Sequence, residues 1–214
     1  MNPHRTRIKI CGFRDAELAA VAAEAGADAI GIVFHPPSPR HASLKQARAV
    51  VLALPAFVQA VGLFVNAPES RVREVLAAVP LSLLQFHGDE EPAYCAGFGL
   101  PWLKGIRMGA GTDLLECRRR FTGATALLLD ANVPGEFGGT GASFDWSLVP
   151  RGVASRVVLS GGLTPANVGA AVAAVGPWAV DVSSGVESSR GVKDAALIQE
   201  FVRSVKDADA RTAG

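Results

Sequence analysis

The amino-acid sequence predicts an α/β protein folded as one (βα)8 barrel, a TIM barrel, and three observations carry that prediction. Short β-branched runs alternate with Ala-rich amphipathic stretches along the chain, the pattern of repeated βα units around a parallel sheet. Eight such units can be counted. No G-x-G-x-x-G follows the first run, which removes the fingerprint of a dinucleotide-binding open sheet, and eight units suit closure better than an open edge.

The predicted strands are Arg7–Cys11, Asp28–Phe34, Val58–Val65, Ser82–Phe86, Trp102–Arg107, Thr125–Asp130, Arg156–Ser160 and Trp178–Ser183. The second, third and seventh are nearly continuous apolar runs, as expected where both faces of a parallel strand are covered. A helix is expected after each strand. The first begins at Asp15, carries Leu18, Val21, Ala22 and Ala25 on one face, and stops at Gly26. Pro68, Pro92 and Pro165 are expected to open three others. The barrel core should span about residues 7 to 206 of a single domain, 1–214, with Ala208–Gly214 as a short flexible tail.

At 214 residues the chain lies near the lower end of the size range for this fold. A net charge of +1, with Lys and Arg dispersed, argues against nucleic acid or an acidic membrane as partner and for a small-molecule ligand. Cys11, Cys95 and Cys117 are odd in number and lack C-x-x-C spacing, so neither a disulfide framework nor a structural metal site is expected. No histidine pattern suggests a metal either, and a reducing, cytoplasmic setting is the natural one. Met1–Arg7 carries no apolar segment of a targeting signal, and no run approaches the ~20 apolar residues of a membrane-spanning helix.

In a barrel of this kind, chemistry sits at the carboxyl ends of the strands and in the loops behind them. The polar residues that end otherwise apolar strands are Cys11, Asn66, His87, Arg107, Asp130, Ser160, and the group Asp181, Ser183 and Ser184. Alternation sharpens the choice: with Ile8 and Ile10 against the helices, Lys9 and Cys11 face the interior. A free buried cysteine is ordinarily a small hydrophobe. At a strand end, before Gly12, it becomes a base candidate, with Lys9 as a cation able to raise its thiolate fraction. On the sixth strand Leu127 and Leu129 face the helices, leaving Ala126, Leu128 and Asp130 inside. Such an aspartate also suits capping of the turn Ala131–Pro134; paired across the mouth with Cys11, it can take the acid role and leave the base role to the thiol.

Ser160-Gly161-Gly162-Leu163 and Ser183-Ser184-Gly185-Val186 follow the seventh and eighth strands, where many barrels bind phosphate through backbone N–H groups. Ordinary βα turns need Gly and Ser too, but two such loops at these positions favour phosphate. His35–His41, stiffened by Pro36, Pro37 and Pro39, presents Arg40 as a fork for a substrate carboxylate. Asn132–Ser143, with four glycines, has the composition of a lid. His4, His35 and His41 are read as solvated or structural, and His87, sharing an inward face with Gln85, as a supporting polar group.

Taken together, Lys9-Ile10-Cys11-Gly12, Ser38-Pro39-Arg40, Gly62-Leu63-Phe64-Val65-Asn66, Gln85-Phe86-His87-Gly88, Leu129-Asp130, Gly138-Gly139-Thr140-Gly141, Phe144-Asp145-Trp146, Ser160-Gly161-Gly162-Leu163 and Asp181-Val182-Ser183-Ser184-Gly185-Val186-Glu187 closely resemble the phosphoribosylanthranilate isomerases of tryptophan biosynthesis. The resemblance runs in order from about Ile8 to Phe201. It departs at Phe86, where the family usually has Leu, a position expected to face the helices. The resemblance implies an Amadori rearrangement of a phosphosugar without redox step or cofactor. Asp130 would protonate the furanose ring oxygen and Cys11 remove the C2′ proton. Arg40 would hold the anthranilate carboxylate, Gly161, Gly162, Ser183 and Ser184 the phosphate, and Asp181 would orient that end of the site. Monomer and homodimer are both compatible with the sequence, and the dispersed charge leaves no nucleic-acid or membrane partner expected.

Two other functions fit parts of the pattern. The sister aminosugar-phosphate isomerase of histidine biosynthesis typically has Asp where Cys11 stands and needs a second phosphate loop in the first half, which is not found here. A non-catalytic phosphosugar-binding barrel would keep the glycine loops without needing the acid and base.

Overall fold

The computed structural model describes residues 5–109, 111–131, 143–150 and 153–213. Eight parallel strands close into a barrel in sequential order: β1 (Arg7–Cys11), β2 (Ala29–Val33), β3 (Gln59–Phe64), β4 (Leu83–Phe86), β5 (Trp102–Met108), β6 (Ala126–Ala131), β7 (Val157–Leu159) and β8 (Ala179–Val182). Each falls inside or within one residue of its predicted span. Closure is made by β1 on β8, with Lys9 in register with Asp181.

The helices are α1 (Ala16–Ala25), α2 (Leu44–Leu52), α3 (Glu69–Ala78), α4 (Pro92–Ala96), α5 (Leu114–Arg120), α6 (Val168–Val175) and α7 (Ala195–Ala213). Asp15 caps α1 by accepting the Leu18 N–H, and Gly26 ends it at φ 117°, a left-handed conformation that glycine adopts without penalty. Pro68 caps α3 and Pro92 opens α4, while Pro165 lies in a turn three residues ahead of α6. Among the described residues an α-helix follows every barrel strand except β6, and the one behind β8 comes after an insertion. After β6 the described residues contain only the 3-10 turns Trp146–Leu148 and Ala154–Arg156. After β8 a 3-10 turn, Ser184–Val186, leads into an antiparallel hairpin, β9 (Glu187–Ser189) and β10 (Val192–Lys193), before α7. The glycine-rich stretch expected to form a lid lies, but for Ser143, outside the described residues.

The segment expected as a tail is helical. Helix α7 continues to Ala213, Ala208 is buried, and Asp209 accepts hydrogen bonds from Thr6 N (2.8 Å) and Thr6 Oγ1 (2.6 Å). A single Ala-Asp-Ala run gives no sign that a partner waits 203 residues away.

Strand alternation sorts the core as predicted. Ile8, Ile10, Leu127 and Leu129 pack outward against the helices. Inside, Leu103, Ala126, Leu128, Val158 and Ala179 form an apolar floor, and Cys11, Val33, Leu63 and Val65 a second apolar cluster nearer the mouth. Burying such side chains contributes roughly 1.5–3 kcal/mol each and fixes the strand ends. Phe86 does face the helices, its ring 5.7 Å from those of Tyr94 and Phe98 and 6.4 Å from Trp102.

Candidate active site

A cleft opens among the carboxyl ends of the strands. Cys11, His35, Ser38, Arg40, Gln85, His87, Asp130, Ser160, Asp181 and Ser183 line it, with Val33, Leu63 and Val65. The fold therefore brings Cys11, Asp130, Arg40, Asp181 and Ser183 into one cavity, and His35, read from sequence as solvated or structural, joins them. Gly161, Gly162 and Ser184 lie in the loops of the same rim, while Asn66 and Arg107 stand aside and both bond Asp89. A second cavity opens between α5 and the starts of β6 and β7. Its lining, Leu114, Arg118, Phe121 and Arg156 among others, holds no carboxylate, thiol or imidazole, so it offers no acid–base chemistry.

Cys11 is buried, and room for its thiol comes from Gly31 in register on β2: a Cβ there would come within 2.6 Å of Sγ. Lys9 sits two residues back on the same face, its Nζ 2.7 Å from Asp181 Oδ1. Ser160 Oγ donates a long 3.4 Å hydrogen bond to the other Asp181 oxygen, and Ser183 Oγ donates to the Cys11 carbonyl at 3.0 Å. Burial pushes the Cys11 thiol above its ordinary range; Lys9 and Lys193 pull it back, and Asp181 adds to the upward push. The Lys9 ammonium is held charged because attraction to Asp181 and Cys11 outweighs its own burial. Lys9 thus acts on Cys11 in the direction read from sequence, but desolvation and Asp181 overcome it.

Asp130 has a hydrogen-bond partner at each carboxyl oxygen. Ala131 N–H bonds Oδ1 at 2.9 Å, and His87 Nε2 lies 3.1 Å from Oδ2, with Gln85 Nε2 2.9 Å from His87 Nδ1 behind it. Gly161, at φ 83°, passes so close that a Cβ would meet Ala131 N at 2.8 Å and Asp130 Oδ1 at 3.1 Å.

Arg40 stands at the cleft wall with its guanidinium forked onto Glu187, Nε to Oε1 at 2.7 Å and Nη2 to Oε2 at 2.8 Å. The fork read from sequence as a substrate contact is thus engaged within the protein on that edge. Glu187 also accepts from Lys193 Nζ at 2.8 Å and Gly191 N at 2.9 Å. Burial opposes the charge on Glu187, but the donors of Arg40, Lys193 and Gly191 prevail and hold its carboxyl at about 2. Lys193 is pushed below the usual ammonium range by burial, which outweighs Glu187. Its Nζ also donates to the Ser183 carbonyl at 2.8 Å, tying the hairpin to the loop behind β8.

The two rim loops press together, since a side chain on Gly185 would overlap the Leu163 carbonyl. Gly161 and Gly162 take φ of 83° and 63°. Among the described residues the N–H groups of Gly161, Gly162 and Ser184 find no acceptor, leaving donors for an anion. No group of three or more His, Cys, Asp or Glu among the described residues is disposed to hold a metal ion.

Lys193, Gly31 and Gly105 were not singled out from sequence. Lys193 lies beyond the eighth strand in a hairpin too short to predict, and the two glycines matter only through cross-strand register. The Glu187 partnership was equally hidden, although the residue closes the last quoted motif.

A thiol and a carboxyl lining one cleft at the strand ends of a closed parallel barrel mark a (βα)8-barrel enzyme of small-molecule chemistry. Residues 8–204 match the family model described as N-(5'phosphoribosyl)anthranilate (PRA) isomerase. The chain belongs to the N-(5'-phosphoribosyl)anthranilate isomerase family.

Similar proteins of that name include one from Thiobacillus denitrificans, 57% identical over 94% of this chain and 98% of its own. Another, from Leptothrix cholodnii, is 56% identical over 99% of this chain and 96% of its own. Among solved structures, phosphoribosyl anthranilate isomerase from Thermotoga maritima superposes with a TM-score of 0.85 at 38% identity, covering 94% of this chain and 99% of that one. A complex of such an isomerase with reduced 1-(o-carboxyphenylamino)-1-deoxyribulose 5-phosphate matches with a TM-score of 0.82 at 37% identity over the same shares of the two chains. Among the described residues no helix is long and apolar enough to cross a membrane.

Proposed function

We propose that this protein, as a single domain, converts N-(5-phosphoribosyl)anthranilate to 1-(2-carboxyphenylamino)-1-deoxyribulose 5-phosphate by general acid–base catalysis. The observation that carries the reading is the meeting of Cys11 and Asp130 in one cleft with Arg40, Asp181 and Ser183. Asp130 protonates the furanose ring oxygen, opening the sugar to a Schiff base. Cys11 removes the C2′ proton, and the enolamine that results tautomerises to the ketone. Arg40, oriented by Glu187, faces the anthranilate carboxylate. The N–H groups of Gly161, Gly162 and Ser184 and the hydroxyl of Ser183 take the phosphate, while Asp181 keeps that end of the cleft in register through Lys9. Lys9 and Lys193 favour the thiolate that accepts this proton, against burial and Asp181, which oppose it.

The reading includes a cytoplasmic enzyme that works without nucleic acid, membrane or cofactor, as a monomer or homodimer. The test follows anthranilate fluorescence as purified protein consumes phosphoribosylanthranilate. Turnover should be lost by orders of magnitude in Cys11→Ala with the fold intact; folded wild-type protein that leaves the fluorescence unchanged defeats the assignment.

A further inference from the structure

Gln85 and His87 lie on the inner face of β4 and its end, 1% and 5% exposed. Each nitrogen of the His87 ring has one partner, Gln85 Nε2 at Nδ1 and Asp130 Oδ2 at Nε2. An amide nitrogen only donates, so the ring nitrogen facing it carries a lone pair, and in a neutral imidazole the proton then sits on Nε2, aimed at Asp130. The ring occupies the space that Gly105 leaves on β5, where a Cβ would come within 2.6 Å of Nδ1. The arrangement has a cost: Gln85 Oε1 is buried without a partner among the described residues, a loss of about 1–3 kcal/mol that an apolar side chain of similar volume would avoid. A half-satisfied amide next to the acid is poor packing but a good constraint on a ring.

We propose that Gln85 is a positioning residue for Asp130, acting through His87: its amide selects the imidazole tautomer that presents Nε2–H to the carboxyl and clamps it between that donor and the Ala131 N–H. The inference rests on the reading of Asp130 as the acid. It assigns His87 no proton transfer of its own; the ring holds the carboxyl plane still while the ring-opening proton is delivered.

The test begins with 15N NMR of the His87 ring in wild-type protein, which should show a neutral imidazole protonated at Nε2. Gln85→Glu replaces the donor at Nδ1 with an acceptor of the same shape. It should move the ring proton to Nδ1 and lower kcat about 10-fold or more, with KM changed less than about 3-fold. His87→Gln, which keeps an N–H donor towards Asp130, should retain more turnover than His87→Leu, both binding the reduced carboxyphenylamino-deoxyribulose 5-phosphate as tightly as wild type. A wild-type ring protonated at Nδ1, or a Gln85→Glu variant with wild-type kcat, overturns the proposal. Asp130→Asn separates the two layers. Full turnover there removes the acid assignment itself, whereas its loss beside an unaffected Gln85→Glu removes only the role of Gln85.

Discussion

Lys9 and Asp181 meet on the two strands that close the barrel, in register, with Nζ 2.7 Å from Oδ1 and side chains 5% and 6% exposed. Breaking a buried pair of this kind leaves one charge without compensation, typically at about 3–5 kcal/mol. Asp181→Asn should therefore lower unfolding stability by roughly that amount in urea titration. It should also remove an upward push on the Cys11 thiol, so that iodoacetamide alkylation of Cys11 speeds up at neutral pH. Lys9→Met should do the reverse to the thiol and slow alkylation.

Glu187 gives the acid limb of stability a named source. Its carboxyl is held at about 2 against an ordinary 4.5, so its contribution is fully present above pH 4.5 and is lost as pH falls towards 2. The shift corresponds to about 3–4 kcal/mol. Glu187→Gln should be less stable at pH 7 and show a shallower fall between those values in denaturant titrations. The same variant should raise KM more than it lowers kcat, because Arg40 loses the carboxylate that orients it.

Gly31→Ala places a methyl group within 2.6 Å of Cys11 Sγ and 2.9 Å of its Cα. The second contact is with backbone, so the strands must separate. A cost of about 1–3 kcal/mol is expected, together with a turnover loss far larger than the stability loss explains. Thermal melting and the fluorescence assay on the same preparation measure both.

Asp209→Ala should lower stability by about 1–3 kcal/mol by stranding the Thr6 N–H and hydroxyl. For a chain of this size that is a drop of several degrees in melting temperature, about 2–4 °C per kcal/mol. Truncation after Lys206 should do at least as much harm, and an unchanged melting curve would return the segment to the status of a tail.

The barrel itself was legible because its signals are local. Alternation along β1 and β6 tells which side of Cys11 and Asp130 faces inward, and it does so without knowledge of any neighbour. The partnerships were not legible. Whether Lys9 serves Cys11 or Asp181 depends on β1–β8 register across 172 residues. Whether Arg40 meets a substrate or Glu187 depends on a five-residue excursion of backbone behind Val186. Polar networks joining distant segments are set by closure, and periodicity carries no record of them.

The seam between β1 and β8 has a bearing on how activity is acquired during synthesis. Cys11 is among the first residues made, yet its charge environment is completed by Asp181, Ser183 and Lys193, which are among the last. A nascent chain that has not reached its eighth strand holds an ordinary thiol. The push from Asp181 and the pull from Lys193 reach it only when the seam has closed.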